Sequence, residues 1–379
     1  MKRIILTVMT VMLLGGNVVW PEDLENAGAA YLRKDYATAL KIWRQLAAQG
    51  NASAQAYLGA LYDSGQGVPQ DNVQAAKWYE QAAAQGHASA QFALGALYAK
   101  GRGVPQDYGQ ARRWYEQAAA QGDASAQVLL GLLYDNGHGV PQDYVKARQW
   151  YEKAAVQSDA KAQFLLGLLY VAGQGVPQDY ATARQWYEKA AAQEFAQAQF
   201  NLGVLYSQGR GVPQDYVKAR QWLEKAASHG DVSAQYALGE LYASGQGVPQ
   251  DYAKTRQWWE RAAAQGHAEA QNSLGLMYAQ GQVVPEDDVK ARQWFEQAAA
   301  QGHAKAQFVL GLIYAKGLGA PKDDMRAYMW SSLAAVSTGD QQTHAIEYRD
   351  KVASRMTPTQ LAEAQRLAHQ CQAQQFKGC

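Results

Sequence analysis

The feature that most constrains the fold of this chain is a unit of 36 residues that recurs eight times without a change in spacing. Tryptophan recurs at this interval from Trp78 to Trp330, and proline does so from Pro69 to Pro321. A glycine that follows a leucine keeps the same step, at Gly59, Gly95, Gly131, Gly167, Gly203, Gly239, Gly275 and Gly311. Such regularity predicts a repeat protein in which each unit buries its apolar residues against its neighbours.

Each copy reads as two helices. In the first copy, one helix begins near the sequence ASAQ and runs to Tyr62, and a second extends from Asp71 towards Gly86. Gly65 is placed to end the first helix, and Pro69 prevents its continuation. Asp71 is a favourable N-cap for the second helix, which Gly86 closes. We therefore predict an all-α fold in which helix, loop, helix and short turn alternate.

Both ends of the array depart from the repeat. Residues 24–50 read as a shortened N-terminal repeat without the glycine-proline part of the loop, residues 51–338 as eight full repeats, and residues 339–379 as C-terminal capping helices with a tail. Thr357 and Gln360 form a predicted capping box around Pro358. One face of the helix that follows carries apolar or small residues, at Leu361, Ala364, Leu367, Ala368 and Cys371.

Residues 1–20 have the composition of a signal peptide. Lys2 and Arg3 precede an uncharged apolar run from Ile4 to Leu14, which is too short to cross a bilayer. We place the cleavage site between Gly15 and Ala27, and an uncleaved membrane anchor is the alternative. The expected location is periplasmic or secreted.

The repeat unit is similar to the Sel-1-like repeat family, a relative of the tetratricopeptide repeats. The resemblance rests on AQFALGALYAKGRGVPQDYGQARRWYEQAAAQG (residues 90–122) and its seven siblings, and on the ending SRMTPTQLAEAQRLA (residues 354–368). It implies a right-handed α-solenoid, a superhelix of antiparallel helix pairs. It also implies a role as a scaffold for other proteins rather than as an enzyme.

Differences between the copies separate two faces of the first helix. On a helical wheel, one arc holds the near-constant positions, which are Ala54, Gln55, Leu58, Gly59, Leu61, Tyr62 and Gly65. The other arc holds the varying positions, which are Ser53, Ala56, Tyr57, Ala60, Asp63 and Ser64. One face is therefore fixed by packing. A glutamine recurs on it in every copy, and we predict that its amide satisfies backbone groups of a neighbouring loop.

The varying face carries mainly apolar residues, whereas a face that is only solvated would be charged. Because first helices line the concave surface of helix-pair solenoids, we predict an apolar ridge there that binds a partner protein or peptide. The ridge residues are Phe92, Leu132, Phe164, Leu168, Phe200, Tyr236, Phe308 and Leu312. The alternative is that part of this ridge packs against the first helix of the next repeat.

Three patterns that suggest binding chemistry have simpler interpretations. The loop sequence YDSGQGVPQDN (residues 62–72) resembles the start of a phosphate-binding loop, but proline removes a donor, aspartate caps the helix and no Gly-Lys-Ser/Thr follows. His87, His267 and His303 share one turn position in different repeats, so we expect no metal site. The residues of the chain indicate no cofactor.

The remaining candidates for chemistry are a serine and two cysteines. Ser158 and Lys161 match the Ser-x-x-Lys of penicillin-recognising enzymes, but Ser158 occupies a turn position that is glycine elsewhere, and no Ser-Asp-Asn or Lys-Thr-Gly appears. Export would permit Cys371 and Cys379 to form a disulfide, and their pairing stays open. We therefore predict no catalytic residues.

The even charge balance gives no support for a nucleic-acid-binding surface, and we expect none. The chain has 35 basic and 34 acidic residues and no block of lysine or arginine. Our main hypothesis is an exported, non-enzymatic scaffold or adaptor, with no membrane contact beyond the signal segment. The alternative is a periplasmic immunity protein that sequesters a secreted toxin, and a third hypothesis is a β-lactam-binding or cell-wall enzyme. The sequence identifies neither the partner nor the oligomeric state.

Overall fold

A computed structural model describes residues 22–281, 284–336, 340–376 and 379. Over these residues the chain is all-helical, with twenty helices and no strand. It divides into two compact units, one that ends at Gln193 and one that begins at Glu194. The predicted signal peptide, residues 1–20, lies outside the described residues.

The first unit contains five helix pairs. Its helices are α1 (Glu22–Leu32), α2 (Tyr36–Ala48), α3 (Ala52–Ser64), α4 (Asn72–Ala84), α5 (Ala88–Lys100), α6 (Tyr108–Ala120), α7 (Ala124–Asn136), α8 (Tyr144–Val156), α9 (Ala160–Ala172) and α10 (Tyr180–Ala191). Odd-numbered helices are the first helices of their pairs, and even-numbered helices are the second. The pair α1 and α2 lies in the predicted shortened repeat.

The second unit contains four pairs and two further helices. The pairs are α11 (Ala196–Gln208) with α12 (Tyr216–Ser228), α13 (Val232–Ser244) with α14 (Tyr252–Ala264), α15 (Ala268–Gln280) with α16 (Asp288–Ala299), and α17 (Ala304–Lys316) with α18 (Asp324–Ala334). The further helices, α19 (Asp340–Ala353) and α20 (Pro358–Ala373), both pack against α18. The all-α fold of paired helices in 36-residue repeats is confirmed.

The caps predicted from the sequence bound the helices. Gly65 ends α3 in the left-handed conformation, with φ +72° and its N–H donating to the Leu61 carbonyl. The Asp71 side chain accepts from the first free N–H groups of α4. Because an aspartate takes these donors, they are not available to a phosphate, and the glycine-rich loop is a connector between helices.

The second glycine of the loop is a contact point between repeats. Gly139 has φ +68°, and a Cβ built on it would lie 2.6 Å from the Cβ of Tyr108, which begins α6 in the preceding repeat. In the second unit, Gly247 meets Tyr216 in the same way. A side chain at this position would separate the loop from the helix that it covers.

The C-terminal segment closes the second unit. Thr357 and Gln360 form the predicted capping box, with proline at the start of α20. The buried face of α20 carries Ala364 and Cys371 and packs on the core of the last repeat. Cys371 and Cys379 form a disulfide, with their Cα atoms 5.6 Å apart. The pairing that the sequence left open is therefore present.

Candidate functional site

The fixed face of each first helix is buried, as predicted. Ala54, Leu58, Gly59 and Leu61 are buried in α3, and the equivalent positions are buried in every later repeat. A Cβ built on Gly59 would lie 2.6 Å from the ring of Tyr79 on α4. Glycine therefore lets the ring of the second helix lie directly on the backbone of the first.

The recurring glutamine on this face connects three helices. Gln127 on α7 donates through Nε2 to the carbonyl of Ala119 on α6, at 3.3 Å, and its Oε1 accepts from Gln157 at the end of α8, at 3.0 Å. Gln91 makes the same two bonds one repeat earlier. The amide thus satisfies the end of a neighbouring helix. The predicted structural role is confirmed, with a helix terminus in place of a loop.

The varying positions form the surface that we call the first-helix face. It consists, in each first helix, of the residues equivalent to Ser53, Ala56, Tyr57, Ala60, Asp63 and Ser64. The last of these positions is exposed from α5 onward, and the first is exposed from α7 onward. The predicted ridge occupies two of these positions, those of Ala56 and Ala60.

The ridge position equivalent to Ala56 points into the junction between repeats. Phe92 is only 8% exposed, and its ring lies 6.0 Å from that of Tyr115 on the partner helix. Phe164 is half-buried, 5.8 Å from Tyr187. Phe200, Tyr236 and Phe308 are also half-buried, each packed against the core of its own unit or a neighbouring ring. At this position the rings of Phe92, Phe164 and Tyr236 lie against the second helix of their own repeat, so this part of the predicted ridge is not open.

The ridge position equivalent to Ala60 is the more open one. Leu168 in the first unit is 37% exposed, and Leu276 in the second unit is 39% exposed. Leu132 and Leu312 are half-buried. Sequence comparison between copies placed Leu276 on the varying face but did not single it out. Its exposure follows from its place one helical turn beyond the junction-facing residue.

The second unit also carries a polar group on this face that the sequence did not indicate. Tyr236 and Glu240 lie one turn apart on α13, and Glu269 and Ser273 lie one turn apart on α15. The Tyr236 hydroxyl is within hydrogen-bonding range of both Ser273 and Glu240. Burial and the nearby carboxylates raise the pKa of Tyr236 to about 12. Burial and the charge of Glu269 also raise the pKa of Glu240.

The histidines at the turn position are helix caps. The Nδ1 atom of each accepts from the backbone N–H three residues later, in the pairs His87 with Ala90, His267 with Ala270 and His303 with Ala306. Burial lowers the pKa of His87 and of His267. Across the described part of the chain, no three His, Cys, Asp or Glu side chains are grouped closely enough to hold a metal ion.

Ser158 has a backbone role. It lies in the exposed turn after α8 with φ +63°, where Gly86 and Gly122 stand in other repeats with φ +85° and +90°. The match to Ser-x-x-Lys is therefore accounted for by the turn. No helix among the described residues is both long and apolar enough to span a membrane.

Comparison with known proteins identifies a repeat family and solved structures that are similar to this chain. The model of the Sel1 repeat matches residues 26–51, 52–87, 88–123, 124–159, 160–195, 196–231, 232–267, 268–303 and 304–335. A protective antigen of uropathogenic Escherichia coli with an SLR fold shares 31% identity over 93% of this chain and 92% of its own, with a TM-score of 0.52. A Sel1 repeat protein from Oxalobacter formigenes shares 36% identity over 64% and 97%, with a TM-score of 0.60.

An immunity protein from Pseudomonas aeruginosa is also similar, with 24% identity over 60% of this chain and 81% of its own, and a TM-score of 0.37. No match is found among curated proteins.

Proposed function

The chain belongs to the Sel1 repeat family, and on this premise we propose that it is an exported, non-enzymatic scaffold that binds a segment of another protein on its first-helix face. Sel1 repeats form scaffolds suited to protein–protein interaction. Within that general role, the proposal concerns the surface, the kind of partner and the location.

The exposed leucines on the first-helix face are the observation that carries the proposal. Leu168 exposes more than a third of its surface, between the half-buried Leu132 and Leu165 of the same unit. Burial of apolar surface contributes about 25 cal/mol per Å², so a partner that covers such residues gains free energy of binding. On the second helices, Arg148 and Arg184 pair with glutamates one turn away.

Export is supported by the N-terminal sequence and by the disulfide. Lys2 and Arg3 followed by a short apolar run are typical of a secretory signal. A disulfide between Cys371 and Cys379 is typical of proteins in an oxidising compartment. We therefore propose a periplasmic or secreted location.

Site-specific photocrosslinking in cells tests the binding surface. A probe at Leu168 on α9 should capture a discrete partner, whereas a probe at Gln149, exposed on the second helix α8, should not. Leu132→Asp, which places a charge beside the probe, should reduce the capture at Leu168. Equal capture at both probe positions, or none at Leu168, would contradict the proposal.

The identity of the captured proteins separates the hypotheses. An adaptor is expected to yield several envelope proteins, and an immunity protein a single toxin that binds tightly. For the enzyme hypothesis, Ser158→Ala is the direct test, because unchanged penicillin labelling or hydrolysis would exclude a role for that hydroxyl.

A further inference from the structure

One first helix of the second unit departs from the apolar pattern of the first-helix face. At the position equivalent to Ala60, every other full repeat carries alanine, leucine or valine, whereas α13 carries Glu240. At the junction-facing position equivalent to Ala56, α15 carries Asn272 where most other copies carry an aromatic ring. A polar patch therefore interrupts the apolar surface around α13 and α15.

The patch has two carboxylates that form no ion pair with a lysine or arginine of the described residues. Glu240 is exposed, and the side chain of Glu269 is 48% exposed. Among the described residues, no lysine or arginine forms an ion pair with either one. The side chain that approaches Glu269 is His303, whose Nε2 lies 3.0 Å from Oε2. Burial and the charge of Glu269 raise the pKa of Glu240, while its hydrogen bond with Tyr236 opposes the shift.

An unpaired buried amide lies on the same helix as Glu269. Asn272 is 5% exposed, and its Oδ1 has no hydrogen-bond partner in the described part of the protein. It stands one helical turn after Glu269, on the same face of α15 as Leu276. A buried acceptor without a donor costs about 1–3 kcal/mol, so the junction below the patch has a hydrogen-bonding position that its own residues leave unfilled.

Stacked rings form one wall of the patch. The Tyr236 ring lies 4.8 Å from the His267 ring and 6.2 Å from the Trp259 ring, with interplanar angles near 20° in both cases. Burial lowers the pKa of His267, which favours its neutral form. A neutral aromatic column beside two carboxylates suits a guanidinium or an ammonium group, which is attracted by both ring faces and anions.

Apolar residues follow the patch along the same face. Leu276 is exposed on α15, and Leu312 is half-buried on α17. A partner segment that lies across these helices would thus meet carboxylates and aromatic rings at one point and leucines at the next. The order of acidic and apolar residues along the surface therefore determines the order of basic and apolar residues in a segment that is complementary to it.

We propose that the patch formed by Tyr236, Glu240, Glu269 and Asn272 receives an arginine or lysine side chain of the partner segment, with an apolar residue of that segment on Leu276. This inference rests on the proposed function, since it assumes that the first-helix face binds a protein. It adds to that function the charge of the partner residue that the patch recognises. The charge complementarity favours a basic segment over an acidic one, and over a second copy of this near-neutral chain.

Selection of displayed peptides on the full-length chain tests the inference. Random twelve-residue peptides are selected on the wild-type protein and on the double variant Glu240→Gln, Glu269→Gln. Peptides from the wild type should be enriched in arginine or lysine at one position beside an apolar residue, and the double variant should lose that enrichment. Glu80→Gln, at an exposed glutamate in the first unit, is the matched control and should keep it.

A selected peptide then provides a quantitative check. Replacing its enriched arginine by glutamine should weaken binding to the wild type about tenfold or more, which corresponds to about 1.4 kcal/mol. The same replacement should leave binding to the double variant nearly unchanged. Circular dichroism of each variant establishes that the fold is retained.

The outcomes distinguish the two proposals. If Leu276→Asp abolishes binding of the selected peptides but these peptides have no enriched basic residue, the charge inference is wrong and the binding face stands. If the enriched basic residue persists on the double variant, the inference is also wrong. If no peptide depends on Leu276, Leu168 or the glutamates, both proposals fail.

Discussion

The central glycine of each first helix sets how closely the two helices of a repeat approach. A Cβ built on Gly95 would lie 2.7 Å from the ring of Tyr115, and its counterpart on Gly275 would lie 2.7 Å from the ring of Phe295. The recurring glutamine lies next to it on the fixed face, so one residue permits the contact and its neighbour hydrogen-bonds across it. Packing at the centre of each repeat is therefore set by two positions.

Gly95→Ala tests the first of these positions. Alanine favours a helix over glycine by about 1 kcal/mol, but here its methyl group would displace the ring of Tyr115. We expect a net decrease of about 1–3 kcal/mol in the free energy of unfolding, measured by urea denaturation. Gly109→Ala in α6 is the control, because six other repeats carry valine or alanine there and its Cβ would meet only the Asp107 carboxylate, at 3.1 Å. Equal stability of Gly95→Ala and the wild type would contradict the close-contact explanation.

Individual residues also show which features could be predicted from the sequence and which could not. Comparison between copies identified Gly59 and Gln55 as structural because every repeat repeats them. The same comparison could not identify the patch around Glu240, since residues that differ between copies provide no pattern. Its members come from two repeats and become neighbours only where the Tyr236 ring of α13 stacks on His267, the cap of α15. The residues of the predicted ridge also differ in exposure, because the exposed fraction of each side chain depends on the helix that lies next to it.

At the scale of helices, the aspartates that begin them fall into two classes. Asp143, at the start of the second helix α8, has 32% of its side chain exposed, and the hydrogen bond from the Lys146 N–H lowers its pKa. Asp123, at the start of the first helix α7, is largely enclosed, and burial raises its pKa despite the bond from Ala126. The same capping interaction therefore has opposite consequences for how stability depends on pH.

Substitution of each aspartate by asparagine separates these contributions. The lowered pKa of Asp143 means that its contribution is present above the unfolded pKa of about 4 and is lost as the pH falls through the folded value. Asp143→Asn keeps the cap without titrating, so it should lose less stability than the wild type between pH 6 and pH 2.5. Asp123→Asn should lose more, because the native state of the wild type binds the proton more tightly than the unfolded chain. Denaturant midpoints across this pH range provide the measurement, and shifts of the same sign in both variants would be inconsistent with the two classes.

At the scale of the whole chain, a repeat array has mainly local contacts, so a change at one end should have local effects. The disulfide joins Cys379 to α20, and the ring of Phe376 lies next to Gly302, in the turn that precedes the last repeat. Closing such a short loop stabilises the folded state by about 2–3 kcal/mol at most. The repeats of the first unit share no residues with this closure.

Cys379→Ser should therefore loosen only the end of the second unit. Hydrogen exchange measured by mass spectrometry is expected to accelerate in the last turns of α20 and to remain unchanged in peptides from α3 to α9. Reduction of the wild-type protein should reproduce the effect of the substitution. Faster exchange throughout the first unit would show that the array responds as a single cooperative body.

The recurring glutamine has a consequence for how the number of repeats can change. Its two partners lie eight residues before it and thirty residues after it, as Ala83 and Gln121 do for Gln91. Removal of residues 88–123 would place Ala83 eight residues before Gln127, in the place that Ala119 holds now. A gene segment that encodes one complete unit can therefore be duplicated or lost while every junction keeps its hydrogen bonds. Insertions or deletions of other lengths would leave a buried amide without its hydrogen-bond partner. Changes in the number of repeats by whole units are therefore favoured.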